Sequence, residues 1–325
     1  MRSIEELMLE LVSVQSDTGT AMELAMAEKI YALVKECPYF VEHPEYCGTY
    51  EDDDILHRPV VWALRKGTGD RTLVLEGHYD AVEIDTYGTL KPYALSPALL
   101  KEKMRSMSMW DEEQNRDLCD DDWCFGRGVA DMKAGLAINL HTLFTSRNEE
   151  VNIVFVAVPD EENLSSGALQ AVGLFEDLKK RYMKAILEKA QIPDPVVVIG
   201  VAPPYYLAVN NKYIDKDIGY CLDGLGDYME SRHGVAVHIV PYLSGMCDMS
   251  YLSCSSPRAE RQFLENLTMP KAVYDVPVER IAALNIPSLL IGPGAKCVHQ
   301  AGERVFMPDV VERIPDLIGR ILERL

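Results

Sequence analysis

Histidine and carboxylate side chains stand directly after apolar runs of this sequence, where they could bind a metal ion or transfer protons. LVLEGHYD ends with His78 and Asp80, and VFVAVPDEEN ends with Asp160, Glu161 and Glu162. Taken singly, an HxD pair is often a surface pair. An acidic triplet is often the start of a helix, where carboxylates cap free N–H groups. Either motif alone is therefore weak evidence for a site.

Two further motifs occupy the same kind of position. FGRGVADMKAG places Asp131 in a glycine-flanked loop before a helix, and IPSLLIGPGAKCVHQ places His299 in a loop after a late apolar run. Two imidazoles and several carboxylates form a ligand set that Zn²⁺ and similar divalent metals take. Two neighbouring cations need a bridging carboxylate and a base that is not itself a ligand. One of Glu161 and Glu162 suits the base and the other a ligand, because adjacent residues at a strand end point in different directions.

The elements that must position these residues alternate between helices and strands. Helical patterns span 4–12, 21–35, 133–146, 166–190, 216–232 and 309–325. Apolar runs predict strands at 60–66, 71–77, 151–158, 195–201, 234–240 and 286–292. The first two strands flank GTGD and are expected to form a hairpin. This alternation predicts an α/β fold with a mixed, mostly parallel sheet sandwiched by helices, in which ligands collect at the carboxyl ends of the strands.

Charge and composition restrict the partners. The 325 residues include 51 Asp plus Glu against 32 Lys plus Arg, a formal charge of −19. A field of this sign repels phosphate backbones and anionic headgroups, so we expect no nucleic-acid partner and no membrane partner. Eight scattered cysteines without a CxxC pair, and the lack of a signal-like or bilayer-long apolar run, predict a cytoplasmic protein with reduced thiols. The acidic stretch 111–122 predicts a solvated loop or a rim that attracts cations.

The motifs at the strand ends resemble, in order, those of a known family. His78-x-Asp80, Gly126-Arg127-Gly128-x-x-Asp131-Met132-Lys133, Asp160-Glu161-Glu162 and the late His299 are similar to the motifs of the co-catalytic zinc aminoacylases and carboxypeptidases. That family includes acetylornithine deacetylase, succinyl-diaminopimelate desuccinylase and carboxypeptidase G. Within it, the segments at 202–206, 245–252 and 291–305 are similar to the branch of the arginine-utilisation protein RocB.

The resemblance implies two divalent metal ions, zinc or in its place cobalt or manganese. His78 and Glu162 would be terminal ligands of the two metals, Asp131 would bridge them, and His299 would be a terminal ligand of the second metal. The implied fold is that of the zinc exopeptidase catalytic domain. The implied substrate is a small molecule or short peptide derived from amino acids, with a connection to arginine utilisation through the RocB branch.

Two further residues would act without holding a metal, again by resemblance. Asp80 would orient His78 and raise its basicity. Glu161 would be the general base that takes a proton from the nucleophilic water and returns it to the leaving amine. The implied reaction is hydrolysis of an amide bond next to a free carboxylate, of deacylase or peptidase type.

The sequence departs from the family pattern after the helix that follows the Glu pair. Family members continue there into a strand that ends in a carboxylate ligand, and then into an inserted lid and dimerisation domain. Here 179–186 passes directly into LEKAQIPDPVVVIG, which is similar to the segment that resumes after the insert. We therefore expect a single catalytic domain over 1–325 without the lid, whose insertion point is near 186–195, and a monomer or an atypical dimer.

The absence of a lid and of one ligand leaves a second function open, that of a catalytically impaired homologue that binds metal or another ligand. Lid closure expels water and completes such sites, so its loss lowers the rate even with metals in place. Candidates for a role near the site are Asp194, if the chain folds back, Asp248, which also suits a helix N-cap, and Cys297, which also suits a small buried residue. Glu303 and Arg304 are expected to pair and orient the loop of His299.

Overall fold

The computed structural model describes residues 2–179, 181, 196–199, 218–237, 251–254, 256–264 and 276–325. Its strands are β1 (Cys47–Tyr50), β2 (Val60–Arg65), β3 (Thr72–His78), β4 (Trp123–Phe125), β5 (Asn152–Val158), β6 (Val196–Ile199), β7 (Ala295–Lys296) and β8 (Arg304–Phe306). Its α-helices are α1 (Ile4–Val12), α2 (Met22–Glu36), α3 (Pro38–Glu42), α4 (Pro97–Arg105), α5 (Glu112–Cys119), α6 (Ala134–Thr145), α7 (Ser166–Leu178), α8 (Gly219–Leu222), α9 (Leu225–His233), α10 (Pro257–Leu264), α11 (Val278–Leu284) and α12 (Ile314–Leu322). Irregular helical turns at Val129–Lys133 and Asp309–Arg313 lead into α6 and α12.

The central sheet has the order β1-β2-β5-β3-β6. β5 pairs in parallel with β3, and β3 pairs in parallel with β6, whereas β2 runs antiparallel to both of its neighbours. Four of these five strands therefore point the same way, which confirms the predicted mixed, mostly parallel sheet. All seven residues of β3 and of β5 are buried, as expected for strands covered on both faces.

Helices cover both faces of this sheet, and the alternation of side chains along β5 divides the core between them. Ile153, Phe155 and Ala157 pack with α1, α2, α6 and α12. Val154, Val156 and Val158 pack with α7 and α11 on the opposite face. This division follows from the two-residue period of a strand. The predicted sandwich of helices around the sheet is confirmed.

The predicted hairpin of 60–66 with 71–77 is wrong, because β5 lies between β2 and β3. Ala63 and Leu75 both take Phe155 as their register partner on β5. The connecting turn leans against the segment that enters β5, with Thr68 N donating to Glu149 O and Gly69 N to Glu150 O. β5 is itself buried along its whole length, so its position in the middle of the sheet places its apolar side chains in the core.

Other predicted elements differ in detail. Within the stretch 111–122, Glu112–Cys119 form α5 rather than a loop, and a reciprocal cap between Asp111 and Gln114 begins that helix. The helical pattern 216–232 is divided into α8 and α9 at Gly224, which has φ +65°. The run 286–292 forms no strand beyond a single bridge residue, Ser288. The run 234–240 shows no strand at 234–237. The ends of the predictions at 166–190, 195–201 and 234–240, and the first two residues of the prediction at 216–232, lie outside the described residues.

A second, antiparallel sheet has the order β4-β8-β7 and carries the late histidine. The loop 297–303 connects β7 to β8 and contains His299. The described cysteines are free thiols. In the part of the chain that the structure describes, no helix combines the length and apolarity needed to cross a membrane.

The start of α7 packs tightly against the residue before the acidic loop, which gives a stability test. A Cβ at Gly167 would overlap the backbone of Pro159. We expect Gly167→Ala to lower the free energy of unfolding by about 2 kcal/mol, the usual cost of overpacking against a backbone that cannot yield. The matched control is Gly319→Ala in α12, where a Cβ meets nothing within 4 Å.

That control should stabilise the protein by up to about 1 kcal/mol through helix propensity. Urea denaturation of the two variants measures the difference. Equal stability changes in the two variants would contradict the close packing of α7 on Pro159.

Candidate metal centre

The parallel pairing of β3 and β5 brings two of the predicted motifs to one edge of the sheet. His78, the last residue of β3, has Val158, the last residue of β5, as its register partner. The next residue, Tyr79, donates its N–H to Val158 O at 2.9 Å. The chain segments that leave both strands therefore stay together, and the acidic residues that follow Val158 lie beside His78 and Asp80.

Asp80 joins these two segments. Its Oδ1 accepts the N–H of Glu161 and its Oδ2 accepts the N–H of Glu162, each at 3.0 Å. His78 Nδ1 lies 3.1 Å from the backbone oxygen of Asp80 and 3.3 Å from its Oδ1. Asp80 is fully buried. With Nδ1 held in this way, the Nε2 atom of His78 is the one that faces the other carboxylates.

Asp131 lies between the two histidines. Its Oδ1 is 2.8 Å from His78 Nε2, and its Oδ2 is 3.5 Å from His299 Nε2. His299 Nε2 is also 2.8 Å from Glu162 Oε1, and Glu161 Oε2 is 3.9 Å from His78 Nε2. Residues from four segments that are distant in the sequence thus lie close together.

These contacts define two groups whose ligand atoms lie within 4.8 Å of one another. One group contains His78, Glu161 and Glu162, and the other contains Asp131, Glu162 and His299. Asp80, the sixth residue singled out in the sequence, supports them from behind. Imidazole nitrogens and carboxylate oxygens at such separations are donors that divalent metals such as Zn²⁺ accept.

The electrostatics of the cluster also fit bound cations. Burial disfavours the imidazolium of His78, but Glu161, Asp131 and Asp80 outweigh this effect and raise its pKa. Hydrogen bonds to Asp131 and Glu162 raise the pKa of His299 to about 10. Burial opposes ionisation of Asp131, but its hydrogen bonds to His299 and His78 lower its pKa.

Four carboxylates therefore face two imidazoles, which leaves an excess of negative charge even when both rings are protonated. Asp80, Glu161 and His78 are almost wholly buried, so water screens this excess poorly. A divalent cation would take the place of the ring protons and balance the carboxylates. The residues present thus fit a metal centre.

The loop that carries His299 is fixed by a buried ion pair that differs from the predicted one. Glu303 binds Arg127 rather than Arg304, and its second oxygen accepts the N–H of Ala130 at 3.2 Å. Arg127 also donates to His299 O at 3.3 Å. The predicted pairing of neighbours in sequence is wrong because Arg304 turns to the other side of its strand and donates to Asp117 of α5 at 2.7 Å.

Arg127 therefore connects the loop of Asp131 to the loop of His299. Burial raises the pKa of Glu303 to about 7, although Arg127 opposes this shift. Sequence reasoning noted Arg127 only as part of its motif and assigned it no partner. The signal that could have found it is an arginine between two glycines, a position where a long buried side chain needs a carboxylate.

The remaining candidates do not supply a further ligand within the described residues. Cys297 belongs to neither group, and its Sγ lies 3.2 Å from Arg304 Nη1. Asp194 and Asp248 lie outside the described residues. β6 runs parallel to β3, and its last described residue, Ile199, pairs with Leu75, three positions before His78. The sequence that follows at 200–214 contains no Asp, Glu or His.

Sequence comparison relates the chain to known proteins over most of its length. The family described as peptidase family M20/M25/M40 matches residues 74–323. The chain is 38% identical over 180 residues to the uncharacterized protein YqjN of Bacillus subtilis (strain 168), and 34% identical over 194 residues to protein RocB of the same organism. These matches cover 54% and 56% of this chain. They cover 32% and 34% of the two relatives, so the match spans about a third of their length.

Solved structures of peptidases share the fold. The LapA aminopeptidase of Legionella pneumophila superposes with a TM-score of 0.53 at 11% identity, covering 99% of this chain and 70% of that chain. The dipeptidase Dug1p of Saccharomyces cerevisiae superposes with a TM-score of 0.51 at 11% identity, covering 99% and 95% of the two chains. At these identities the likeness concerns the fold alone.

Removal of Arg127 tests the buried pair that joins the two loops. Arg127→Met leaves Glu303 buried without its counter-ion, and we expect the free energy of unfolding to fall by about 3 kcal/mol. The control Arg313→Met removes a partly exposed pair with Asp309 and should cost less than about 1 kcal/mol. Chemical denaturation measures both, and similar losses in the two variants would show that the Arg127 pair has no special role.

Proposed function

Because the chain belongs to the peptidase family M20/M25/M40, we propose that it is a hydrolase of amide bonds that uses two divalent cations, with zinc as the preferred metal. The proposed ligands are His78, Asp131, Glu162 and His299. The observation that carries the proposal is the meeting of imidazole and carboxylate groups at the carboxyl ends of β3 and β5. The proposed substrate is a small molecule or short peptide derived from amino acids, cleaved in the manner of a deacylase or a peptidase.

The proposed chemistry assigns separate tasks to the cluster. When bound, the metals would polarise the amide carbonyl and lower the pKa of the attacking water. Glu161 takes one proton from that water while the oxygen of the water forms a bond to the carbonyl carbon. Glu161 then gives the proton to the nitrogen as the C–N bond breaks, which releases a carboxylic acid and an amine. Asp80 keeps His78 in one orientation and holds the backbone of Glu161.

Four finer features of the proposal rest on sequence. A place for the reaction in arginine utilisation follows from the resemblance to the RocB branch, and the substrate's acyl group and amino acid are left open. A cytoplasmic location and a monomeric or atypically dimeric state are also proposals. The absence of a lid domain near 186–195 is proposed from the direct continuation of the sequence there.

A second candidate function is a metal-binding homologue with impaired catalysis. It is favoured by one observation, the lack of any Asp, Glu or His at 200–214, where the chain leaves the strand next to β3. A cation held on that side by His78, Asp131 and water would dissociate easily. The two candidates both bind metal, but only the first turns over a substrate.

Metal content tests the centre itself. We expect about two equivalents of zinc per chain by elemental analysis after equilibration with zinc, and a rise in melting temperature with zinc concentration, because metal binds the folded ligand set. His78→Ala should lose at least one equivalent and most of the thermal shift. The control His57→Ala, at an exposed histidine outside the cluster, should keep both. Unchanged zinc content in His78→Ala would contradict the assignment.

Turnover of a substrate panel tests the base. Zinc-loaded protein should release amine from at least one N-acyl amino acid or dipeptide, whereas Glu161→Gln should lower kcat by a factor of about 100 or more with its zinc retained, because the amide cannot accept the proton. The matched control Glu42→Gln makes the same change at an exposed carboxylate of α3 that lies in neither ligand group, and it should leave kcat unchanged. Zinc binding without turnover in the wild type would favour the second candidate.

A further inference from the structure

A buried guanidinium lies behind the acidic loop of the candidate metal centre. Arg58 stands just before β2 and is 5% exposed. Its Nη1 donates to Asp160 Oδ1 at 2.5 Å and to Glu23 Oε1 at 2.8 Å. Its Nη2 and Nε bind the two oxygens of Asp54 at 2.8 and 3.0 Å. Three carboxylates from three separate segments therefore share one arginine.

The contact with Asp160 bears directly on the loop, because that residue has an unusual backbone. Asp160 has φ +63°, a left-handed conformation that costs free energy for a residue with a side chain. Its N–H donates to Glu23 Oε2 at 2.8 Å, and its backbone oxygen accepts the N–H of Ser165 at 2.8 Å. The carboxylate, the N–H and the carbonyl of Asp160 are thus all held by neighbours, and Glu23 and Arg58 provide two of these three anchors.

The residues after Asp160 are the two glutamates of the cluster. Their N–H groups are held by Asp80 from the side of β3, whereas Asp160 is held by Arg58 and Glu23 from the side of α2. Arg58 itself is in neither of the two ligand groups. Its contact with the acidic loop is made to the side chain of Asp160, whose backbone leads directly into the two glutamates.

Charge explains why an arginine is needed at this place. Burial, then the nearby Asp80, raise the pKa of Glu23 to about 7, and Arg58 opposes this shift. Without the guanidinium, Glu23, Asp54 and Asp160 would face one another in a poorly hydrated space next to the four carboxylates of the cluster. The guanidinium also has the planar fork that a single ammonium lacks, so it binds several carboxylates at once.

We propose that Arg58 is a positioning residue, which fixes the left-handed turn at Asp160 and so directs the carboxylates of Glu161 and Glu162 towards His78 and His299. The turn sets where both glutamate side chains begin, and a displacement of about 1 Å there is enough to lower a rate by two orders of magnitude. The catalytic half of this inference rests on the proposed function, whereas the structural half concerns the loop alone.

The test compares Arg58→Met and Arg58→Lys with Arg65→Met. Arg65 is at the other end of β2, donates to Leu143 O and Phe144 O, and has no contact with the acidic loop. Amide hydrogen exchange of the metal-free proteins is followed by mass spectrometry in peptides that contain 159–165. We expect faster exchange there in Arg58→Met, a smaller change in Arg58→Lys, and wild-type exchange in Arg65→Met.

Kinetics and zinc content complete the comparison. In the zinc-loaded proteins Arg58→Met should lower kcat about 100-fold with KM changed little, because the loop rather than the substrate is displaced. Arg58→Lys should recover part of the rate. If Arg58→Met does not fold, Asp160→Asn removes the charge from the contact with Arg58 with little change in shape, and it should show faster exchange in the same peptides, to a smaller extent.

The outcomes separate this inference from the proposed function. Exchange in 159–165 that is equal in Arg58→Met, Asp160→Asn and wild type would overturn the positioning role, whatever the activity. If the wild type is active, faster exchange in 159–165 of Arg58→Met without a change in kcat would overturn the catalytic half of the inference. A wild type that binds no zinc and hydrolyses nothing would overturn the proposed function, while the exchange comparison would still decide whether Arg58 holds the loop.

Discussion

The buried carboxylate of Asp80 holds two halves of the candidate metal centre together. It accepts two successive backbone N–H groups of the acidic loop, and it lies against the ring nitrogen of His78. This arrangement requires β3 and β5 to be parallel neighbours in register to their last residues, so that a side chain two positions beyond one strand reaches the loop beyond the other. Hydrogen bonds to an ionised acceptor are stronger than neutral ones, and more so away from water.

The packing that brings the candidate ligands together also brings carboxylates close to one another. Two buried arginines near the cluster balance part of this negative charge. Arg127 balances Glu303 beneath the loops of Asp131 and His299. Arg58 balances the carboxylates behind the acidic loop. Each guanidinium is buried, and each touches the loop that carries a ligand rather than the ligand side chain. The two arginines do not balance the negative charge of the cluster itself, so a cation bound there would stabilise the folded protein.

Sequence reasoning predicted the layers of the fold from local pattern. It singled out the residues of the cluster from their positions after apolar runs and from the resemblance to a known family. Long apolar runs identify β3 and β5, and residues after parallel strands must meet at one edge. It failed where a partner is distant in sequence. The strands of the predicted hairpin at 60–77 do not pair, because β5 (Asn152–Val158) lies between them. In the same way Glu303 takes Arg127, far away in the chain, in place of its neighbour Arg304. Arg58 carried no motif at all, so only the fold reveals its contact with Asp160.

Exposure across the cluster is graded, and this gradient bears on what a lid would do. Among the described residues the side chains of His78 and Glu161 are 0% and 2% exposed, that of Asp131 is 21% exposed, and that of His299 is 46% exposed. Glu161, the proposed base, is therefore shielded by the core, and the cluster is more exposed towards His299. A lid that excludes water would act on the His299 side. Its absence would weaken the hold on substrate and on the second cation before it changed the surroundings of Glu161, so the loss would affect binding more than proton transfer.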